Sequence, residues 1–480
     1  MHRSRPVSLL AASLVFLFSA VGSAGAVTSM RTGFHDGGFS DRSRQTELLG
    51  EASGLGASVA RVATGWAGIA ATRPTSPMDP ADPAYDWSAT DASVRATVNA
   101  GLQPILSLTQ APAWAEGGGR PAGLRALPGS WRPDPASYGL FAVALARRYD
   151  GTYPDPLMPG RTLPRVRAYL PWNEPNLEAY LAPQWSRRNG RVVAEAPYHY
   201  RKLVREFGAG IHRSQPDALV AAGALAPFGD ALPGGRRTPP ARFLRDMLCL
   251  SPRFRRVACG SYGSPRFDVL SHHPYSVGGP FREALNPDDV SVPDLAAKLV
   301  KPLRAAERLG VLGPPRRRRI WVTEISWDSR PADPDGVPER RHADWLAQAL
   351  YVLARQGVDT VTWFQVRDSP PGPGRNYGVT SQSGVLLRSG RPKFAATAFR
   401  FPLVAVRPAG RTTVWALAPT SGPLVVERRT KRGWTAVLRR SSVRRGTIVQ
   451  RRFTGLRRGT VLRARAGGLR SLSVRVSSGR

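Results

Sequence analysis

The chain has 480 residues, 42% apolar and 21% charged, with 48 Gly and 44 Pro spread along it. That balance excludes a fibrous or intrinsically disordered protein and leaves room for one large domain plus a small one. The formal net charge is +35, from 69 Lys and Arg of which only Lys202, Lys298, Lys301, Lys393 and Lys431 are lysine; the arginine bias owes much to GC-rich coding, but a field of this size favours anionic partners.

In chain order, the first segment reads as an export signal over residues 1–26. Arg3 and Arg5 form a basic start, residues 9–18 an apolar centre, and Ala24-Gly25-Ala26 a small-residue cleavage site. The apolar stretch is too short and too rich in Ser and Ala for a permanent membrane span, and no later stretch is a membrane candidate. The expectation is a secreted, extracellular or cell-wall-associated protein that begins near Val27. Nucleic acid is a weak candidate partner for a chain that leaves the cell.

Eight apolar runs follow, at residues 30–35, 57–64, 103–109, 165–172, 219–225, 268–275, 319–325 and 360–366. Helix-like segments lie between most of them, at 42–55, 89–100, 137–149, 198–214, 293–309 and 342–356. Continuously apolar strands alternating with helices imply a parallel sheet covered on its faces. Eight such units predict an α/β fold, a (β/α)8 TIM barrel over 27–400 with the last loop and helix at 384–399. An open doubly wound sheet is the alternative, weakened because no G-x-G-x-x-G turn follows the first strand. Cys249 and Cys259, the only cysteines, lack metal-ligand spacing, and in an exported protein they suit a small disulfide-closed loop.

After residue 400 the helical pattern stops, and short alternating stretches such as TTVWALAP, PLVVERRT and SLSVRVS are separated by Gly, Pro and Ser. This predicts a small all-β C-terminal domain, sandwich-like, over 403–480. It carries 19 basic residues against one acid, Glu427. Such a field suits an anionic cell-wall polymer, and an adhesion role for the module is one functional reading.

The residues able to do chemistry gather at the predicted strand ends: His35, Arg61, Asn173, Glu174, His273, Tyr275, Glu324 and Trp363. The C-terminal strand ends are the active face of such a barrel. Glu174 closes the fourth run and Glu324 the seventh, so a closed barrel sets two carboxylates across its mouth. Glycoside hydrolysis needs such a pair, one protonating the leaving oxygen and the other attacking the anomeric carbon or activating water. In the 268–275 run only one of His272 and His273 can face the mouth. Trp66, Trp114, Trp131, Trp172, Trp185, Trp327 and Trp363 lie near strand ends or in loops, where aromatic faces suit a glycan.

PWNEPN (171–176) together with WVTEISW (321–327) resembles clan A glycoside hydrolases, the retaining barrel enzymes with Asn-Glu on strand four and Glu on strand seven. The longer WNEPNLEAYL looks most like family 39, with the cellulase-like family 5 next, and the resemblance spans roughly 30–400. It implies Glu174 as general acid/base, Glu324 as nucleophile and Asn173 beside the hydroxyl next to the anomeric carbon. It further implies that Arg61 orients the nucleophile, that His273 and Tyr275 form a His-x-Tyr pair with the tyrosine donating to Glu324, and that Trp363 floors the reacting-sugar subsite. His35 is a further possible subsite contact. No metal or organic cofactor is implied; the partner is a carbohydrate. A non-catalytic glycan-binding barrel is the competing reading. Family 39 members often differ after the strand-seven Glu, where this chain has ISWDS, and nothing identifies the sugar.

Overall fold

The computed structural model describes residues 26–479 apart from 261, 373–376, 379 and 409. The expected export signal lies, up to residue 25, outside the described residues. No helix among them is long and apolar enough to cross a membrane.

Eight parallel strands close a barrel: β1 (Arg31–His35), β2 (Val59–Gly65), β3 (Gln103–Thr109), β4 (Ala168–Pro171), β5 (Leu219–Leu225), β6 (Val269–His272), β7 (Arg319–Val322) and β8 (Val358–Phe364). Each strand neighbours the next in sequence and β1 pairs with β8, Phe34 opposite Trp363. The helices α1 (Gln45–Gly54), α2 (Ser88–Asn99), α3 (Pro135–Arg148), α4 (Ala196–Ser214), α5 (Pro240–Met247), α6 (Lys301–Arg308), α7 (Glu339–Arg355) and α8 (Phe394–Arg400) alternate with them. The eightfold barrel expected from the apolar runs is therefore present. β4, β6 and β7 end earlier than their runs, because polar and proline residues there leave the ladder and turn into the mouth.

Local chemistry explains the boundaries. α3 starts at Pro135 because the Asp134 side chain accepts from the Ser137 N–H at 2.9 Å and proline is pre-set for a first helical position. The single helix expected at 293–309 is instead a 3-10 turn (Val292–Asp294), a π-turn (Ala296–Val300) and α6. Pro302 has no N–H for the carbonyl four residues back, so a regular α-ladder is interrupted there. Cys249 and Cys259 are disulfide-bonded, as their spacing suggested.

Side chains of a strand alternate between the barrel interior and the helix layer. The interior holds an apolar layer that includes Val59, Ile105, Leu170, Val269 and Trp321. Two residues further along the same strands come Arg61, Ser107, Ser271 and Thr323, all buried. The same two-residue period that fills the lower barrel with hydrocarbon thus delivers a polar layer just below the mouth.

The C-terminal region forms two antiparallel sheets. One holds β9 (Leu403–Val406), β10 (Thr412–Leu417) and β13 (Ile448–Phe453); the other holds β11 (Gly422–Thr430), β12 (Gly433–Val443), β14 (Val461–Ala466) and two two-residue strands at 469–470 and 474–475. Val414, Ala416, Leu424, Val426, Leu438, Leu462 and Ala464 share their core. The module docks on the barrel's N-terminal end: Met30 N donates to Gly446 O (2.9 Å), Ile448 N to Thr28 O (2.8 Å), and the Arg445 guanidinium to the carbonyls of Gly56 (2.7 Å) and Ala57 (2.8 Å). Tyr351 of α7 meets Trp415 of β10 edge-on.

At the other end, the loops after β7 and β8 are pinned by the buried ammonium of Lys393. It donates to Asp368 Oδ1 (2.7 Å), Ser329 Oγ (2.8 Å) and Gln382 O (3.1 Å). Both ionic side chains are almost wholly out of water, so removing one leaves the other charge uncompensated. Lys393→Met should lower unfolding stability by about 3–5 kcal/mol in urea titration; a loss below about 1 kcal/mol would show that the pair is effectively solvated.

Candidate active site

The site is built around one buried guanidinium. Arg61 projects from β2 into the barrel and is 1% exposed. Its Nη1 donates to Glu324 Oε2 (3.0 Å) and Thr323 O (3.1 Å), and its Nη2 to Asn173 Oδ1 (2.6 Å) and Ser107 Oγ (3.2 Å). Nη1 also lies 3.2 Å from His273 Nε2. An arginine can only donate, so that ring nitrogen accepts and His273 carries its proton on Nδ1. Nδ1–H then points at Glu174 Oε1, 2.9 Å away. Burial holds His273 neutral, its pKa lowered to about 3, with the charge of Glu324 opposing and that of Arg61 adding to the fall.

The two glutamates differ in their surroundings. Glu324 receives the Arg61 guanidinium and, at Oε1, the Tyr275 hydroxyl (2.6 Å). Both contacts fix the orientation of that carboxyl. Glu174 receives the His273 N–H as its side-chain partner, and burial raises its pKa from 4.5 to about 7, opposed by the charge of Arg61. Oxygens of the two carboxyls and a ring nitrogen of His273 all lie within 4.8 Å of one another. Those three could hold a metal by ligand type, but the positive charge among them is supplied by Arg61.

The backbone that presents Glu174 is held from several directions. Trp172 (φ 72°) and Glu174 (φ 42°) both occupy the left-handed region, costly for side chains of this size. Trp172 N donates to Leu108 O (2.8 Å) and its Nε1 to Tyr180 O (2.8 Å), while Glu174 N donates to Ala224 O (3.0 Å) on β5. Asn176, fully buried, donates to the carbonyls of Ala226 (3.0 Å) and Thr238 (3.1 Å) and accepts from Ala226 N (2.8 Å). The strand ends at Pro171, before the Asn-Glu-Pro-Asn motif is reached, and the second asparagine ties the turn to the next loop. Because Asn173 Oδ1 is taken by Arg61, its amide nitrogen is left as a donor, with no protein acceptor in hydrogen-bond range among the described residues.

The structure therefore brings Arg61, Asn173, Glu174, His273, Tyr275 and Glu324 into one cluster. His35 on β1 joins its edge: Nδ1 bonds Arg61 O (3.1 Å) and Nε2 lies 3.9 Å from Glu324 Oε2. His272 turns away, with Nε2 bonded to Val290 O (2.9 Å), as strand alternation requires. Trp363 is 1% exposed; its Nε1 donates to Ser383 O (2.8 Å) and its ring packs on Trp327 and His342. Trp66 and Trp172 are also buried in the core, whereas Trp114 and Trp185 keep part of their surface in water. Three contributors escaped the sequence reading. Ser107 and Thr323 were legible in principle by counting two residues on from Ile105 and Trp321. Tyr180 could be placed only by the folded loop; burial raises its phenol pKa, and the charges of Glu174 and Glu324 add to the rise.

A closed barrel with two carboxyls facing one another over a buried arginine invites comparison with known proteins. No family model and none of the curated proteins matches the chain. Among solved structures it is similar to a family 39 glycoside hydrolase from the gut symbiont Bacteroides cellulosilyticus, at 15% identity over 88% of this chain and 80% of that one, TM-score 0.53. It is also similar to a glucosidase from Croceicoccus marinus, at 15% identity over 90% of this chain and 95% of that one, TM-score 0.50. At this identity the likeness establishes a shared fold, a TIM barrel with an appended all-β region.

Removing the guanidinium tests the electrostatics directly. Arg61→Met keeps bulk but deletes the charge that holds the Glu174 pKa down. The titration of Glu174, followed by carboxyl infrared bands, should move upward from about 7; a downward shift would contradict the assigned network.

Proposed function

We propose that the protein is a retaining glycoside hydrolase that cleaves the O-glycosidic bond of a β-linked glycan or glycoside by double displacement. The observation that carries this reading is the facing pair Glu174 and Glu324, with oxygens within 4.8 Å, Glu174 raised by burial to about 7 and Glu324 held by Arg61 and Tyr275. Retaining enzymes set their carboxyls about 5–5.5 Å apart, whereas inverting enzymes leave about 6.5–9.5 Å for a water.

In the first step Glu174 gives its proton to the glycosidic oxygen as the bond to the anomeric carbon breaks. The Glu324 carboxylate attacks that carbon from the opposite face and forms a glycosyl ester. In the second step Glu174, now ionised, takes a proton from water. The water oxygen attacks the anomeric carbon, the ester bond breaks, and Glu324 is released as carboxylate. Arg61 and Tyr275 hold the Glu324 carboxyl in place for attack. His273, neutral, orients Glu174 without competing for its proton. The free amide N–H of Asn173 is suited to the hydroxyl beside the anomeric carbon. His35 lines the adjoining wall, whereas Trp363, expected as the subsite floor, is packed into the core on Trp327 and His342.

We further propose that the chain is exported, on the strength of its basic, apolar and small-residue leader pattern, and that its basic C-terminal module associates with anionic cell-wall polymer.

Glu174→Gln should lower turnover of poorly activated glycosides by about 10²–10⁴-fold, and far less for aryl glycosides whose leaving group needs no proton. Glu324→Ala should remove turnover of both. Unchanged activity in both variants would leave a glycan-binding barrel instead. The first-formed sugar should keep the anomeric configuration of the substrate by NMR; inversion would refute double displacement. The acid is active when protonated, so kcat/KM should fall as pH rises through about 7. That limb should disappear in Glu174→Gln assayed on an activated substrate.

A further inference from the structure

The C-terminal arginines are not scattered evenly over the module. Paired residues on neighbouring strands point to the same side of a sheet, and Leu424, Val426, Leu438, Leu462 and Ala464 fill the inner side. The register therefore fixes the outer side. Arg439 on β12 and Arg465 on β14 both pair with Val425, and Arg465 pairs in turn with Arg470. These three form one transverse row. Arg463 pairs with Glu427, Arg429 with Trp434, and Val461, on the same side, with Arg475. The Arg463 guanidinium lies over the Trp434 ring, 4.1 Å from its centroid, as a common face requires.

One outer face thus carries six arginines, a half-exposed tryptophan and a single acid. Glu427 is held by Arg463 (2.8 Å) and Arg465 (2.8 Å). Arg429, Arg439, Arg470 and Arg475 have no acidic partner among the described residues. Arg429 and Arg475 also reach a cleft of about 650 Å³ between this sheet and α7, shared with Arg340 and Asp344, which pair with each other. Four uncompensated guanidiniums on adjacent strands repel one another and gain from a ligand that neutralises them.

We propose that this outer face binds a linear acidic polysaccharide bearing carboxylates. Strands are about 4.8 Å apart, so the two uncompensated arginines of the row, Arg439 and Arg470, with β11 and β14 between them, stand roughly 14 Å apart. A single extended chain crossing the strands can meet both. The guanidinium fork matches a carboxylate bidentately, and the Trp434 ring offers an apolar face for a sugar between the charges. The module meets the N-terminal end of the barrel at residues 28–30 and 56–57 and lies along α7 as far as Arg340 in its first turn, which donates to Ser473 O. This inference deepens, and rests on, the proposed association of the module with anionic polymer; it does not depend on the hydrolysis reading.

The test uses the whole protein and direct binding by light-scattering-corrected anisotropy or calorimetry, with polygalacturonate as probe. One variant replaces Arg429, Arg439, Arg470 and Arg475 by Gln. A matched control replaces Arg451, Arg452, Arg457 and Arg458, which are exposed elsewhere on the module, by Gln and so loses the same charge. The face variant should weaken binding by about tenfold or more and flatten its salt dependence, while the control changes it by less than about threefold. Aryl-glycoside turnover, if present, should be the same in all three proteins, which separates this result from the catalytic reading. Equal losses in the two variants, no binding at low salt, or tighter binding to duplex DNA or to phosphatidylglycerol vesicles than to polygalacturonate would each overturn the proposal.

Discussion

A buried guanidinium is expensive to hold, and Arg61 is what makes the mouth of this barrel one connected object. Taking its charge out of water is tolerable only because Glu324, Asn173, Ser107 and Thr323 surround it with acceptors. Those partners come from β3, from β7 and its end, and from the turn after β4. Moving any of those elements would strand a charge, so the register of the barrel and the geometry of the site are the same constraint. The arginine also fixes the His273 tautomer, and through it the hydrogen bond that Glu174 receives.

This network creates asymmetry between two chemically identical side chains. Glu324 has a cation and a phenol hydroxyl aimed at it; Glu174 has a neutral imidazole and little water. Burial then raises one carboxyl to about 7 while the other sits beside the charge. A carboxyl kept protonated to higher pH by its surroundings is what a general acid beside a second carboxyl requires. The strained backbone at Trp172 and Glu174 is held by ties to β3 and β5, with Asn176 locking the turn that follows. The rigidity needed for catalysis is thus supplied by elements that never meet a substrate.

The two halves of the molecule divide the physics between them. The barrel buries its charges and pairs them, down to Lys393 with Asp368 at the loop bases. The C-terminal sandwich does the reverse, spending its inner side on hydrocarbon and leaving arginines in water.

The sequence by itself determined the eightfold alternation, because a parallel strand covered on both sides must be apolar throughout and its helix amphipathic. It also determined the chemistry-bearing positions, since Asn-Glu-Pro after one apolar run and Glu after another are punctuation that packing alone does not call for. Only the tertiary structure decided which side chains meet. Ser107 and Thr323 are unremarkable in the chain, and become acceptors only when closure of the barrel turns them toward Arg61. The choice between His272 and His273 followed from strand alternation, but the partner of each depended on distant loops at Val290 and Glu174. Tryptophans that read as a sugar-binding set were divided by burial, Trp66, Trp172 and Trp363 going into the core. Apolar rings obey the same burial drive wherever they lie, so composition cannot separate a core ring from a cleft ring. Proximity between residues far apart in the chain is a property of closure, and a one-dimensional pattern does not contain it.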